Sequence, residues 1–257
     1  MCRHLAYVGP ELPLGRVLVE PEHSLYRQSW APRRQRYGTV NADGFGVGWY
    51  APDDPLPARY RRAGPVWADL SFADLARVVR SGAVLAAVRD ATLAGADAEA
   101  ASAPFAAGGW LFSHNGAVPG WPHTMAPLVP TLPPADLLSL QAGCDSAFVW
   151  ALLLHRLRAG QDAARALGET VRQVAEAAPA SRLNLLLTDG ATITASAWGD
   201  SLFYRTGTGT VVASEPYDDD PRWQEVPDRT VLTATRTGVR LAPLEDPASA
   251  TPKEPCP

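Results

Sequence analysis

What most limits the folds open to this chain is the order of its apolar segments. Short apolar runs bounded by glycine and aspartate read as strands at residues 2–8, 44–50, 84–89, 110–114, 183–188, 192–198, 202–204, 210–213 and 230–234. Helical patterns interrupt them. Residues 71–81 open on a Ser71-x-x-Asp74 capping box, and residues 134–141 put proline in the first turn, where its missing N–H breaks no helical hydrogen bond. Residues 146–158 are apolar nearly all round and stop at Gly160, so that helix should be buried; residues 162–178 set Leu167, Val171, Val174 and Ala178 on one face, so the next should be half-buried. So much strand excludes a helical bundle. Helices gathered at mid-chain, rather than alternating with strands, favour an α+β fold of helices packed on stacked antiparallel sheets. Residues 51–58, with Asp53, Asp54, Pro55 and Pro57, read as a turn between two strands. Residues 244–257, rich in proline, alanine and acidic side chains, read as a disordered tail behind a single domain at 2–243.

A chain of 257 residues with 46% hydrophobic content can bury the core such a domain needs. Its net charge of −4 and lack of a basic stripe argue against a nucleic-acid partner, because phosphate neutralisation needs clustered cations. Arg33, Arg34 and Arg36, and then Arg59, Arg61 and Arg62, are dense basic spots that read as solvated loop or strand faces, with contact to an anionic substrate as the other reading. Lys253 is the one lysine, an arginine bias that points to a GC-rich genome more than to a function. The first thirty residues hold no apolar signal region, and no uninterrupted apolar stretch reaches membrane-spanning length, so a cytoplasmic protein without a membrane partner is expected. Three cysteines, Cys2, Cys144 and Cys256, form no disulfide framework and no metal-ligand spacing. His4, His23, His114, His123 and His155 show no paired metal spacing either, and Gly44-Phe45-Gly46-Val47-Gly48 lacks a dinucleotide fingerprint and reads as a tightly packed strand.

Candidate chemistry begins at Cys2. Trimming of Met1, which a small second residue permits, leaves a thiol and a free α-amine on one residue. An α-amine titrates near 8 and a free thiol near 8.5, so the amine can serve as the thiol's own base. Such a nucleophile needs donors for the oxyanion it creates, and the Asn115 side-chain amide with the Gly116 N–H could supply them. An Asn-Gly pair is also a common hairpin turn, and His114 would then shape that turn. Arg89, closing an apolar strand, could be an internal ion pair or a fork for a ligand carboxylate. Asp145 could cap the helix it precedes or bind a substrate ammonium, and Cys144 beside it reads as a buried cysteine at a helix start.

Together these residues resemble a known family. Cys2 after Met1, the run Asn41-Ala42-Asp43-Gly44-Phe45-Gly46, the segment Arg89-x-Ala91-Thr92, then His114-Asn115-Gly116 and Asp145-Ser146 occur in the order and approximate spacing of the class II glutamine amidotransferases, which belong to the N-terminal nucleophile hydrolases. The resemblance covers about residues 2–234. It implies a four-layer αββα sandwich, with Cys2 as nucleophile and Asn115 and Gly116 as oxyanion hole. It further implies Arg89 on the α-carboxylate of a glutamyl group and Asp145 on its α-ammonium, with Thr92 and His114 beside the substrate and no metal or organic cofactor. Ala87 and Leu93 stand where synthase-type members carry histidines, and no segment is left over for a domain that consumes ammonia. The runs at 2–7, 28–32 and 39–50 are similar to a free-standing hydrolase branch of actinobacteria whose γ-glutamyl substrate carries a histidine betaine. That cation suggests an aromatic cage, for which Trp30, Tyr37 and Trp49 are the candidates, Trp30 foremost. A glutaminase subunit feeding a partner chain, and a non-catalytic γ-glutamyl or glutamine sensor, are the alternatives.

Overall fold

The structure, a computed structural model, describes residues 2–91 and 99–244. Its centre is strand β1 (Arg3–Pro13), which alternates strictly: Leu5 and Tyr7 face one way, Ala6 and Val8 the other, and all four are buried. A strand buried on both faces needs a layer on each side. β1 lies in the first of two antiparallel sheets, with the second sheet on one face and helices on the other. The first sheet adds β2 (Phe45–Trp49), β3 (Ala58–Arg62), β4 (Arg80–Val88), β9 (Phe203–Thr206), β10 (Thr210–Ala213) and β11 (Gln224–Glu225), in the order β11-β9-β10-β1-β4-β2-β3. The second runs β13-β12-β8-β7-β6-β5 and comprises β5 (Phe105–Ala107), β6 (Trp110–Ala117), β7 (Arg182–Thr188), β8 (Ile193–Ala197), β12 (Thr230–Ala234) and β13 (Val239–Pro243).

Between the sheets lie Ala6, Val8, Ala83, Leu85 and Val212 from the first and Leu111, Leu186, Ala195, Ala197 and Leu232 from the second. The many alanines let the two backbones approach closely. On the outer face of the first sheet, Leu5, Val47, Val84 and Val88 pack against the short helices α1 (Gly15–Leu18) and α2 (Leu25–Gln28) and against α3 (Leu70–Val78), which contributes Phe72 and Ala76. The outer face of the second sheet meets α5 (Asp145–Arg158) and α6 (Ala163–Ala177), preceded by α4 (Pro134–Leu138). Phe112, Leu183, Leu185 and Leu187 meet Trp150, Leu153, Leu167 and Val171 there. Each such fully buried side chain contributes about 1.5–3 kcal/mol. The result is the four-layer αββα sandwich. Among the described residues no helix is long and apolar enough to cross a membrane.

Local readings were corrected where tertiary packing outweighed them. α3 is capped by Asp69, whose carboxylate accepts from the N–H groups of Ser71 and Phe72, so Ser71 is helical rather than the cap. That helix stops at Val78 because Arg80 already belongs to β4. β5, β11 and β13 escaped the sequence reading because they are short or edge strands, and β3, implied only as the strand after the 51–58 turn, is the edge strand Ala-Arg-Tyr-Arg-Arg, held by pairing with β2 and by Tyr60, whose hydroxyl donates to Asp69 (2.7 Å). Leu244, assigned to the tail, is instead 5% exposed, donates its N–H to the Arg229 carbonyl (2.6 Å) and joins the α5–α6 core. The remainder of that tail, 245–257, lies outside the described residues.

Candidate active site

β1 leads out of Cys2. The register Arg3↔Val88 sets Cys2 at the strand end opposite Arg89, which follows β4. Cys2 is half-buried, and burial pushes its thiol up, opposed by the Asp90 backbone N–H and the Arg89 guanidinium and reinforced by the Asp145 carboxylate. The thiol therefore feels Arg89 and Asp145 at once, although Arg89 follows β4 of the first sheet and Asp145 opens the helix α5 that packs on the second. Arg89 forms no ion pair among the described residues; its Nη1 donates to the Asp43 carbonyl at 3.1 Å. Asp43 returns two bonds, its N–H to the Arg89 carbonyl (2.9 Å) and its carboxylate accepting from the Ala91 N–H (2.8 Å). Asn41, fully buried, donates Nδ2 to the Gln28 carbonyl and to Gln35 Oε1. The 41–46 motif is thus a clamp on the arginine segment. Glycine is a steric necessity at its end and just beyond: a Cβ on Gly46 would overlap the Ala103 carbonyl oxygen, and one on Gly48 of β2 would meet Leu111 Cδ1 at 2.7 Å. Thr92 and Leu93 lie outside the described residues.

Asn115 and Gly116 are not a turn. β6 runs straight through them, paired Asn115↔Asn184 and Gly116↔Leu183. Alternation sends Leu111, Ser113 and Asn115 between the sheets and His114 toward α5. Asn115, without exposed surface, donates Nδ2 to Ser214 Oγ (3.2 Å), and the same oxygen accepts from the His4 N–H (3.1 Å), two residues from Cys2. Asn115 Oδ1 is buried without a partner. Gly116 is required because a Cβ would overlap the Arg182 carbonyl oxygen and stand 2.6 Å from both the Arg182 carbonyl carbon and His114 Nε2. His114 does not shape a turn, nor does it reach toward a ligand. Its Nε2 donates to the Arg182 carbonyl at 2.9 Å, since a carbonyl can only accept, and its Nδ1 lies 3.0 Å from Ser146 Oγ. Both ring nitrogens are spent holding β6 against β7 and α5.

Asp145 is the first residue of α5 and not its cap, a position held by Cys144 with no side-chain bond. The Asp145 carboxylate accepts from the Val118 N–H (2.9 Å), just beyond β6, and from the Ser146 N–H (2.7 Å), which ties the helix start to the end of the Asn115 strand. Cys144 is half-buried and its thiol is pushed up by burial.

Four residues with no assigned role in the sequence reading complete the site. Arg3 and Glu215 form a buried ion pair (3.9 Å), and Glu215 also accepts from the N–H groups of Arg33 (3.0 Å) and Arg34 (2.8 Å), pinning the 30–37 loop beside the nucleophile. His4 Nδ1 lies 3.2 Å from Ser113 Oγ, and burial holds the imidazole well below its usual value, so it is neutral. The fourth is Ser214. The visible signal was the Arg3-His4 pair inside a buried strand, where two polar side chains demand partners.

The family model for the class-II glutamine amidotransferases matches residues 18–206. The chain belongs to this family. The γ-glutamyl-hercynylcysteine sulfoxide hydrolase of Mycobacterium tuberculosis is 41% identical over 246 residues, covering 95% of this chain and 97% of the relative. The protein of the same description from Mycolicibacterium smegmatis is 42% identical over 245 residues, covering 95% and 100%. A solved glutamine aminotransferase class-II domain protein from Silicibacter pomeroyi superposes with a TM-score of 0.69 at 25% identity, over 95% of this chain and all of that one.

In this class-II amidotransferase the three aromatic candidates each have partners of their own. Trp30 packs edge-on against Tyr26 (5.2 Å) and Trp67 (5.8 Å), Trp49 packs on the α1–α3 core, and Tyr37 lies under the Arg182 guanidinium at 4.5 Å. A cavity of about 150 Å³ lined by Asp136, Gln141, Trp150 and Arg158 involves none of the site residues. Glu22, His23 and Asp219 bring ligand atoms within 4.8 Å of one another at the surface, where Arg33 already pairs with Asp219 at 3.0 Å.

Proposed function

We propose that this chain hydrolyses the γ-glutamyl amide bond of γ-glutamyl-hercynylcysteine sulfoxide, releasing glutamate and hercynylcysteine sulfoxide in ergothioneine biosynthesis. The observation that carries this reading is identity of 41–42% to hydrolases of that description over nearly the whole of both chains. The position of Cys2, opposite Arg89 and within the field of Asp145, supports it.

With Met1 removed, the Cys2 α-amine takes the thiol proton and the sulfur attacks the γ-carbonyl carbon. The oxyanion is held by the Gly116 N–H and by the Asn115 Nδ2 proton that Ser214 does not take, a donor worth about 2.7–4 kcal/mol of barrier. The ammonium then passes its proton to the leaving nitrogen as the C–N bond breaks, which leaves a glutamyl thioester on Cys2. Water attacks the thioester, the amine accepts its proton, and the thiol departs with glutamate free. Arg89 offers its unengaged guanidinium edge to the substrate α-carboxylate, and Asp145 its carboxylate to the α-ammonium. The reaction needs no metal or organic cofactor, and a thiol nucleophile suits the reducing cytoplasm.

The test is turnover of γ-glutamyl-hercynylcysteine sulfoxide beside glutamine, after intact mass has established that Met1 is gone. Fast glutamate release from the first with little from the second is expected. Preference for glutamine would overturn the reading in favour of a glutaminase subunit, and binding without turnover in favour of a sensor.

A further inference from the structure

We infer that Arg182, braced by Tyr37 and Asp200, holds the leaving half's carboxylate next to the scissile nitrogen and so selects γ-glutamyl-amino-acid amides over glutamine. The inference rests on the hydrolase reading and deepens it. In γ-glutamyl-hercynylcysteine sulfoxide the scissile nitrogen is the α-nitrogen of cysteine. The leaving half therefore carries a carboxylate on the carbon bonded to that nitrogen, and glutamine carries none. The substrate thus has one carboxylate close to the scissile bond on each side, the betaine carboxylate lying farther out on the leaving half.

The site has one guanidinium on each side of its reacting centre. Arg89 flanks Cys2 in the first sheet. Arg182 flanks Gly116 in the second: it opens β7 in register with Ala117, and its carbonyl oxygen is the atom that a Cβ on Gly116 would overlap. Its backbone is fixed by His114 (2.9 Å). Its side chain is aimed by three contacts. Nη1 donates to Asp200 Oδ2 at 3.1 Å, the guanidinium lies 4.5 Å from the Tyr37 ring centroid, and Gly199 leaves space for the stem, since a Cβ there would stand 3.0 Å from Arg182 Cγ. Asp200 is 2% exposed while the Arg182 side chain keeps 21% of its surface open, so the fork is braced by Asp200 without being closed off. Charge agrees with geometry. Asp200 feels Arg182, Arg3 and Arg36, and Glu215 is paired with Arg3, so three guanidiniums face two carboxylates. An incoming carboxylate meets a surplus positive charge and a planar fork suited to bidentate binding.

The test compares kcat/KM for γ-glutamylglycine, which has a carboxylate at that position, with γ-glutamylglycinamide, which has none. Wild type should prefer the carboxylate by about tenfold to hundredfold, the worth of a charge-assisted hydrogen bond. Arg182→Gln combined with Asp200→Asn, which avoids an unpaired buried carboxylate, should erase the preference through KM and leave glycinamide turnover within about threefold. Arg182→Lys, which keeps the charge beside Asp200 should the double variant fail to fold, should lose most of the preference with the fork. No preference in wild type, a preference that survives both variants, or equal losses on both substrates would overturn the inference. Failure of the hydrolase reading is seen separately, as absence of wild-type turnover on γ-glutamyl-hercynylcysteine sulfoxide.

Discussion

Ser214→Ala removes one oxygen that two fully buried donors share, the His4 N–H at 3.1 Å and Asn115 Nδ2 at 3.2 Å. Neither donor has exposed surface, so bulk water does not replace the lost acceptor. Each unsatisfied buried donor costs about 1–3 kcal/mol, so the pair should cost about 2–6 kcal/mol of folding stability before relaxation. The catalytic effect is separable from this loss. With its anchor gone, the Asn115 amide is free to turn, and complete loss of one oxyanion donor lowers kcat by about 10²–10³-fold. Partial disorder should therefore give a fall of about tenfold to a hundredfold in kcat. KM should change little, because the glutamyl contacts assigned to Arg89 and Asp145 do not pass through Ser214. Urea unfolding gives the first quantity, and steady-state release of glutamate from a γ-glutamyl amide gives the second. A destabilised variant whose kcat stays within twofold of wild type would refute the idea that Ser214 positions Asn115.

Gly116→Ala should be more damaging, because the new Cβ meets backbone of β7 rather than a flexible side chain; the expected outcome is a loss of about 1–3 kcal/mol or more, with kcat reduced, and a variant as stable and active as wild type would contradict the close approach described for this strand. His4 is neutral in the folded state because burial holds its pKa well below the ordinary value near 6.5. The unfolded chain therefore binds the extra proton as pH falls below about 6.5, and the folded state loses about 1.4 kcal/mol per pH unit from this residue until its own low pKa is reached. Chemical denaturation of wild type and His4→Gln across pH 7.5 to 5 should show wild type losing stability faster below about 6.5, and parallel curves would rule that out.

How far the sequence could be read followed from how local each signal was. The apolar runs and the mid-chain helices led to the layered sandwich because burial on one or both faces writes its period directly into the strand and helix patterns. Cys2, Arg89 and Asp145 stood out as chemistry-bearing residues at element ends. Asn115-Gly116 was ambiguous for a physical reason: its local preference is a turn, but pairing with Asn184 and Leu183 carries the strand through, and the glycine serves a close approach instead. Asp145 offered the same ambiguity, and its carboxylate accepts both from the Val118 N–H just beyond β6 and from the Ser146 N–H in its own first turn. The supporting residues could not be read locally. The His4–Ser214 bond spans 210 positions and the Asn115–Ser214 bond 99, and Glu215 reaches the Arg33 N–H across 182. Trp30 is a cage candidate only through the betaine cation that the resemblance implies, and its contacts with the nearby Tyr26 and the distant Trp67 are packing that the sequence does not show.

The central claim is that the N-terminal cysteine forms a covalent glutamyl intermediate. Mature enzyme, mixed with a γ-glutamyl amide, acid-quenched within one turnover and digested, should yield the N-terminal peptide carrying one glutamyl group on Cys2. The adduct should be absent from Cys2→Ala and from chain that retains Met1. A glutamyl group found on Cys144, or a Cys2→Ala variant that turns over at a near-wild-type rate, would contradict the account.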